Sequence, residues 1–475
     1  LRIVLVRPPS SLTPMGDSAA QHHPVGLALL CAVAERAGHT AEIVDYEVMP
    51  LNAGRILSLG PDVVGITAMT ATVGMAYRIG ARLKRVRPDL PVILGGVHAT
   101  VIPEVCLAQA GDSIDALVLG EGEERLPIVL ARIGSGEGFQ GLEGVAWKEA
   151  GTVRIDPPRG FIEDLDTLPF PDRTKIRMEL YRQASSPGFS RTFLRITEIF
   201  TSRGCPYHCV FCSAGVLSGR RTRFRSPENV AEEMRLCIGR FGIQHFTIND
   251  DNFIAETSRT EEFCRRVAPL QVTWSCETRV NSATLDLLTS LRKAGCRKVS
   301  FGVESGSPRI LEKIRKGITI RMVEDAFRHG RRAGLLRSGF FQVGAHPEET
   351  REDLRLTWQL VRRIDPDFLI VSIATPFPGT ELYRQMKDRG LILDEDWSNY
   401  THFTPCPSWR TLHFSPTQLV SLQRTMLRRF YLRPGTLFKR LAATRSLGQL
   451  LYQISAGISI LRMPHTRPVR GKPEP

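Results

Sequence analysis

The chain has 475 residues, 42% of them hydrophobic and 24% charged, with a formal net charge of +14. That length and balance predict a soluble protein of two to four domains whose core needs no disulfide staples. Ten cysteines, seven of them scattered singly (Cys31, Cys106, Cys237, Cys264, Cys276, Cys296 and Cys406), exclude a disulfide framework and point to a reducing, cytoplasmic setting.

The opening "LRIVLVRPP" already reads as a buried strand, so no signal peptide is expected. Over residues 1–130, apolar β-rich runs at Ile3–Val6, Glu42–Val44, Val63–Thr67, Val92–Leu94 and Ala116–Leu119 alternate with helix-period segments such as Gly26–Ala37 and Val73–Arg87. Short buried strands alternating with helices predict a doubly wound, parallel α/β sheet, Rossmann-like or flavodoxin-like. Such sheets bind ligands beyond the carboxyl ends of their strands. Those ends carry "RPPS", "TAMTAT", "GGVHAT" and "GEGEE".

Residues 131–195 hold "PP", "PFPD" and "SSPG" and little periodicity, and read as a connector with one hairpin, "GVAWKEAGTVRI". Alternation resumes over 196–385, with strands expected at Glu198–Thr201, His245–Asn249, Val272–Glu277, Lys298–Val303, Ser338–Val343 and Phe368–Ile373, and helices such as Glu228–Arg240 and Met322–Ala333 between them. Six βα units fall short of the eight that close a TIM barrel, so a partial barrel is expected. Residues 386–475 form a helical extension, with Ser415 as N-cap and Pro416 at the first helical position. The extension is basic, with Arg424, Arg428, Arg429, Arg433, Lys439, Arg440 and Arg445. It either packs on the barrel with a solvated Arg face or makes peripheral contact with a membrane surface. No apolar run reaches the roughly 18–20 residues of a membrane span; the stretch Leu447–Leu461 is broken by Gln453, Ser455, Gly457 and Ser459.

Directly after the first barrel strand, "TSRGCPYHCVFCS" places Cys205, Cys209 and Cys212 in a C-x₃-C-x₂-C spacing. Thiolates suit zinc or iron–sulfur. A zinc site wants a fourth ligand, for which His208 is the local option, and a zinc ribbon brings a second Cys pair that is absent here. Three thiolates can instead hold three irons of a 4Fe-4S cube and leave the fourth iron open.

With the aromatic Phe211 just before the last Cys, the motif resembles the radical S-adenosylmethionine (SAM) superfamily. "FTINDDNF" (Asp250, Asp251, Asn252), "WSCETRV" (Glu277, Arg279), "VSFGVESGS" (Glu304) and "IATPFPGTELY" match that family in order, while "VGAHPEET" at 343–350 departs from its Gly-Leu-Pro-Gly-Glu-Thr. The resemblance implies that the open iron binds the amino and carboxylate groups of SAM and that the reduced cluster cleaves SAM to a 5′-deoxyadenosyl radical. It makes Glu304 and Asp250 candidates for holding SAM, Arg279 a candidate partner of its carboxylate, and Phe211 a neighbour of the cofactor.

The first region lacks both G-x-G-x-x-G and a P-loop. Its "HPVGLALLCAVAERAGHTAEIVD", "VVGITAMTAT", "VILGGVHATVIPE" and "LVLGEGEE" resemble the cobalamin-binding domain fused to one radical SAM class. On that resemblance Thr67, Thr70, Thr72, Gly95, Gly96, Gly120 and Glu121 form the cobalamin contacts. The Asp-x-His-x-x-Gly cobalt motif is absent, so His98 is read as a contact to the ring edge or tail, or as structural, and not as an axial ligand.

Together these features imply a cobalamin-dependent radical SAM enzyme that methylates an unactivated carbon, using one SAM to methylate the cobalamin and another to generate the radical. The alternatives are an oxidative cyclase or ring-rearranging enzyme on the same architecture, like the magnesium-protoporphyrin monomethyl ester cyclase group, and a non-catalytic cobalamin or iron–sulfur sensor. The expected partners are a small-molecule, lipid-like or peptide substrate and an external electron donor of flavodoxin or ferredoxin type. A nucleic-acid partner is not expected, since a tRNA methylthiotransferase would need three further N-terminal cysteines and region one has only Cys31 and Cys106.

Overall fold

The structure is a computed structural model, and it describes residues 1–10, 22–181, 195–437 and 444. The N-terminal sheet contains β1 (Arg2–Arg7), β2 (Thr40–Asp45), β3 (Val63–Thr67), β4 (Val92–Gly95) and β5 (Ala116–Val118). All five run parallel in the order β2-β1-β3-β4-β5. This is the flavodoxin-like order, with its switch point between β1 and β3. Ile3 to Val6 are at most 3% exposed, because helices cover both faces of the sheet and β1 is apolar between its terminal arginines.

The hairpin expected in the connector forms as β6 (Val145–Glu149) and β7 (Thr152–Asp156), and it belongs to the sheet: β6 pairs antiparallel with β5 and β7 with β6. Ala150 and Gly151 join the two strands, both with positive φ (48° and 78°), the backbone of a tight hairpin turn. The chain then runs through short 3₁₀ turns toward the second domain. There Arg173, buried, bridges Glu233 at 2.7 Å and donates to the Glu198 carbonyl.

The second domain is a six-stranded, all-parallel sheet: β8 (Ile196–Ile199), β11 (His245–Ile248), β12 (Thr273–Thr278), β13 (Cys296–Glu304), β14 (Leu336–Val343) and β15 (Phe368–Ile373), in the order β15-β14-β13-β12-β11-β8. Helices such as Pro227–Phe241 and Ile320–Arg332 alternate with the strands. Among the described residues β8 and β15 do not pair, so the barrel is open. Between β8 and β11 a small antiparallel pair, β9 (Ser202–Arg203) and β10 (Arg223–Phe224), brackets the cysteine loop.

The helix Pro416–Tyr431 starts at Ser415, which forms a capping box with Gln418. It buries Leu419, Val420, Met426, Leu427 and Phe430 against the barrel, and the Tyr431 hydroxyl bonds both backbone groups of Leu369 on β15. Arg424 is buried with that face, and Arg433 pairs with Asp365. Packing on the barrel is therefore the outcome for this helix. Lys439, Arg440, Arg445 and the stretch Leu447–Leu461 lie outside the described residues. No helix among the described residues is long and apolar enough to cross a membrane.

Candidate active site

A cavity of about 520 Å³ lies between the two domains. One wall is built by the carboxyl ends of β3, β4 and β5: Thr67, Gly95, Gly96, Gly120 and Glu121 line it. Gly96 sits at φ 100°, and a Cβ there would fall 2.8 Å from the Ala68 carbonyl oxygen and 3.0 Å from Thr67 Oγ1. Only glycine lets the loop after β4 lie flat against the end of β3. Thr100, one helical turn beyond Gly96, donates its hydroxyl to the Gly96 carbonyl at 2.9 Å and accepts the Gly120 N–H at 3.0 Å. It ties two cradle loops together and lines the cavity; its spacing from Gly96 was the only signal for it in the sequence.

Three further residues of the predicted cofactor set lie elsewhere. Thr70 is buried in a 3₁₀ turn, and Thr72 caps that turn through the Met69 backbone at 3.1 Å. His98 is fully buried with its ring 5.3 Å from that of Trp397, edge to face. Neither imidazole nitrogen has a hydrogen-bond partner, and burial pushes its pKa down to about 4, so the ring is neutral. None of the three lines the cavity.

The opposite wall comes from the second domain and includes Phe200, Ser202, Arg203, Asn249 and Asp251. Here the cysteine loop begins. Gly204 has φ 90°, and a Cβ on it would meet the Arg221 carbonyl oxygen at 2.4 Å. The Cys205 N–H donates to the Gly219 carbonyl at 3.2 Å, the Cys212 N–H to the Cys209 carbonyl at 3.1 Å, and the Val210 N–H to the Ile314 carbonyl at 3.1 Å. The loop is thus wrapped on its own backbone and pinned to the turn after Ile314. No three His, Cys, Asp or Glu side chains among the described residues are spaced to hold a single metal ion. Burial pushes the Cys205 thiol up, whereas Cys212 is exposed.

Two cations stand over this loop. Arg279 places Nη1 3.5 Å from Cys209 Sγ, lies 3.6 Å from the Tyr207 ring centre, and donates to the Lys316 carbonyl. Lys316 Nζ is 5.8 Å from the Phe211 ring centre and 2.7 Å from Glu304 Oε1. The second Glu304 oxygen accepts from Gln342 Nε2 at 2.9 Å, and Glu304 itself has φ 72°. Gly302 makes room for the lysine: a Cβ there would lie 2.8 Å from Nζ. Arg279, Glu304, Phe211 and the three cysteines are therefore one neighbourhood, and Lys316 joins it. A thiolate-rich loop of this kind gains from fixed cationic neighbours.

Asp250 turns away. Its carboxylate accepts from the Thr201 N–H at 2.7 Å, the Thr201 hydroxyl at 2.5 Å and the Ser202 hydroxyl at 2.8 Å, which ties β11 to the exit of β8. Its neighbour Asp251 is exposed and faces the cavity. Glu121 is also engaged: Arg203 donates to it at 2.9 Å, Arg223 doubly at 2.9 Å, and the Ile162 N–H at 2.7 Å. It joins the loop after β5 to both strands that bracket the cysteine loop.

The family model for the B12 binding domain matches residues 13–130, and that for the radical SAM superfamily matches residues 199–361. An uncharacterized methyltransferase of Pyrococcus horikoshii is 34% identical over 92% of this chain and 94% of its own. The anaerobic magnesium-protoporphyrin IX monomethyl ester cyclase of Cereibacter sphaeroides is 28% identical over 91% of this chain and 71% of its own. Among solved structures, the radical SAM methyltransferase TsrM of Kitasatospora setae, with cobalamin and a [4Fe-4S] cluster bound, superposes with a TM-score of 0.67 at 21% identity, covering 82% of this chain and 75% of that one. The cobalamin-dependent SAM radical enzyme OxsB superposes with a TM-score of 0.73 at 18% identity, covering 97% and 72%.

Proposed function

The chain belongs to the cobalamin-dependent radical SAM family, in which a B12-binding domain precedes a radical SAM domain, and from that premise we propose that it methylates an unactivated carbon of a small-molecule substrate. The observation that carries the proposal is the cavity itself, with the glycine-lined cradle on one wall and the exit of β8 into the cysteine loop on the other. Cys205, Cys209 and Cys212 would hold the cluster, and Arg279 beside Cys209 offsets thiolate charge. Thr67, Gly95, Gly96, Thr100 and Gly120 would face cobalamin, the glycines allowing the close backbone approach that a Cβ at Gly96 would forbid. Arg279 and Lys316 offer donors suited to the carboxylate of SAM, and Glu304 an acceptor held in place by Lys316 and Gln342. When bound, the cluster supplies one-electron cleavage of SAM and the cobalamin supplies the methyl group. The protein's share is to hold all three close to the substrate where the two domains meet.

The test is reconstitution with iron, sulfide and cobalamin, followed by assay of SAM turnover for 5′-deoxyadenosine and S-adenosylhomocysteine together. A protein that cleaves SAM but binds no cobalamin would overturn the reading. The cyclase relative supports a second reading, oxidative ring closure. Product mass separates the two: a gain of one methylene unit marks methylation, and a gain of oxygen marks the cyclase reaction.

Gly96→Ala probes the cradle alone. The added Cβ meets backbone atoms of Ala68 and sits at positive φ, a strain of about 1–3 kcal/mol. Cobalamin affinity, read by titration of its visible absorbance, is expected to fall by roughly 5- to 100-fold, while the iron content stays at the wild-type level.

A further inference from the structure

The helix Pro416–Tyr431 fixes a histidine at the mouth of the barrel. Gln423, buried on that helix, donates Nε2 to the Val371 carbonyl at 2.8 Å and to the His402 carbonyl at 3.2 Å. The His402 carbonyl also accepts the Ile373 N–H at 2.9 Å, so its backbone is held at the carboxyl end of β15. The side chain of His402 is exposed there. Its ring meets that of Phe377 edge to face at 5.3 Å, and neither imidazole nitrogen has a hydrogen-bond partner among the described residues.

Two sets of contacts put this ring at the seam between the domains. On one side Ser372, next to Ile373, pairs in register with Gln342, which donates to Glu304 in the neighbourhood of the cysteine loop. On the other side the loop carrying Phe377 runs on to Gly379, where a Cβ would lie 3.1 Å from Val101 Cβ. Val101 ends the short helix Val97–Val101 of the N-terminal domain, and Thr100 of that helix lines the cavity. Trp397, from the same stretch as His402, packs edge to face on His98 of that helix. The substrate carbon has to lie between the cobalamin wall and the cysteine loop. The reading above gives Arg279, Lys316 and Glu304 to SAM, and leaves His402 for the substrate.

We propose that His402 determines specificity by hydrogen-bonding a neutral polar group of the substrate, a hydroxyl or an amide, beside an apolar part that rests on Phe377, and that Gln423 is the positioning residue that holds it there. The inference rests on the reading above. An imidazole with its ordinary pKa of about 6.5 is neutral at neutral pH, and it then has one N–H donor and one acceptor nitrogen. A hydroxyl or an amide both gives and takes a hydrogen bond and satisfies such a ring. A carboxylate only accepts and an ammonium only donates, so each leaves one side of the pairing unmade.

The experiment gives the reconstituted holoenzyme, reduced with dithionite, SAM and one of four perdeuterated probes: hexanol, hexanamide, hexanoate or hexylamine. Mass spectrometry reads the deuterium carried into 5′-deoxyadenosine. In that step one C–D bond of the probe breaks, one forms at the 5′ carbon, and the unpaired electron passes to the probe. The wild type is expected to favour the alcohol or the amide over both ions by about tenfold or more, and the better of the two names the group. His402→Ala is expected to lose that preference with the KM for SAM and the iron and cobalamin contents unchanged. His402→Asn, which keeps a donor and an acceptor, is expected to restore part of it, and Gln423→Leu to fall between His402→Ala and the wild type. Deuterium taken from hexanoate or hexylamine as readily as from the neutral probes, or from none of the four, would overturn the proposal. So would a raised KM for SAM in His402→Ala, which would assign the imidazole to SAM. A wild type that forms no 5′-deoxyadenosine would instead overturn the radical SAM reading, and this inference with it.

Discussion

Cys209→Ala is expected to abolish SAM cleavage and to leave cobalamin binding in place. Cys209 is the central thiol of the motif and the one that Arg279 approaches, at 3.5 Å. Removing it takes away one of three proposed cluster ligands and leaves the Arg279 guanidinium facing an apolar methyl group. Enzymes accelerate their reactions by about 10⁶-fold or more, and here the whole of that would pass through the cluster, so 5′-deoxyadenosine should fall by more than about 10³-fold, to background. The cradle should be spared. One face of its sheet has a core of its own, in which Ile3, Leu5, Val63, Ile93 and Leu130 pack together. The check is three numbers from one preparation: iron per chain, cobalamin per chain, and 5′-deoxyadenosine per hour. A variant that keeps its turnover would refute the assignment of the cysteines. A non-catalytic sensor, by contrast, would show no SAM cleavage in either form.

The alternation of strand and helix was legible because buried parallel strands are written as short β-branched runs, which few other structures need. Both sheets, the parallel sense of every strand but the β6–β7 hairpin, and the open barrel followed from it. The cysteine loop was legible because the chemistry demands three thiols in one turn. The residues past the strand ends were harder. Asp250 and Asp251 are adjacent and chemically alike, yet one carboxylate is consumed by Thr201 and Ser202 while the other faces the cavity. Neighbouring side chains at a strand end point to opposite sides, and no single sequence says which side is the cavity. Thr70, Thr72 and His98 follow the same logic. They lie a turn beyond the sheet: Thr72 is spent on the Met69 backbone, and His98 meets Trp397, about 300 residues away in the chain. Lys316 escaped notice because it acts from a loop outside any motif, and only the fold brings it to Glu304.

Glu121 shows the same limit with larger consequences, and Glu121→Ala is expected to loosen the join between the two domains. The glutamate reads in the sequence as part of a cradle loop. In the fold its side chain is 6% exposed and receives Arg203, both Nη atoms of Arg223 and the Ile162 N–H, while Arg203 also meets Glu123 at 2.5 Å. Arg223 is 2% exposed at its side chain, so truncating Glu121 strands a buried guanidinium. Breaking one side of a buried pair costs about 3–5 kcal/mol, which with a urea slope of about 1–3 kcal/mol per molar corresponds to a midpoint lower by at least about 1 M. The effect has a pH signature. Burial raises the Glu121 carboxyl, but the hydrogen bonds from Arg223, Arg203 and Ile162 outweigh it and hold the group below the ordinary carboxylate range. A depressed carboxyl contributes its stability fully above its unfolded pKa and loses it as the pH falls through the folded one. The gap between wild type and Glu121→Ala should therefore be widest at neutral pH and narrow as the solution is acidified below the carboxylate range. Urea titrations of both proteins at neutral and acid pH, followed by tryptophan fluorescence, measure it. A midpoint difference independent of pH would mean that the packing of Glu121, and not its charge, holds the cradle against the cysteine loop.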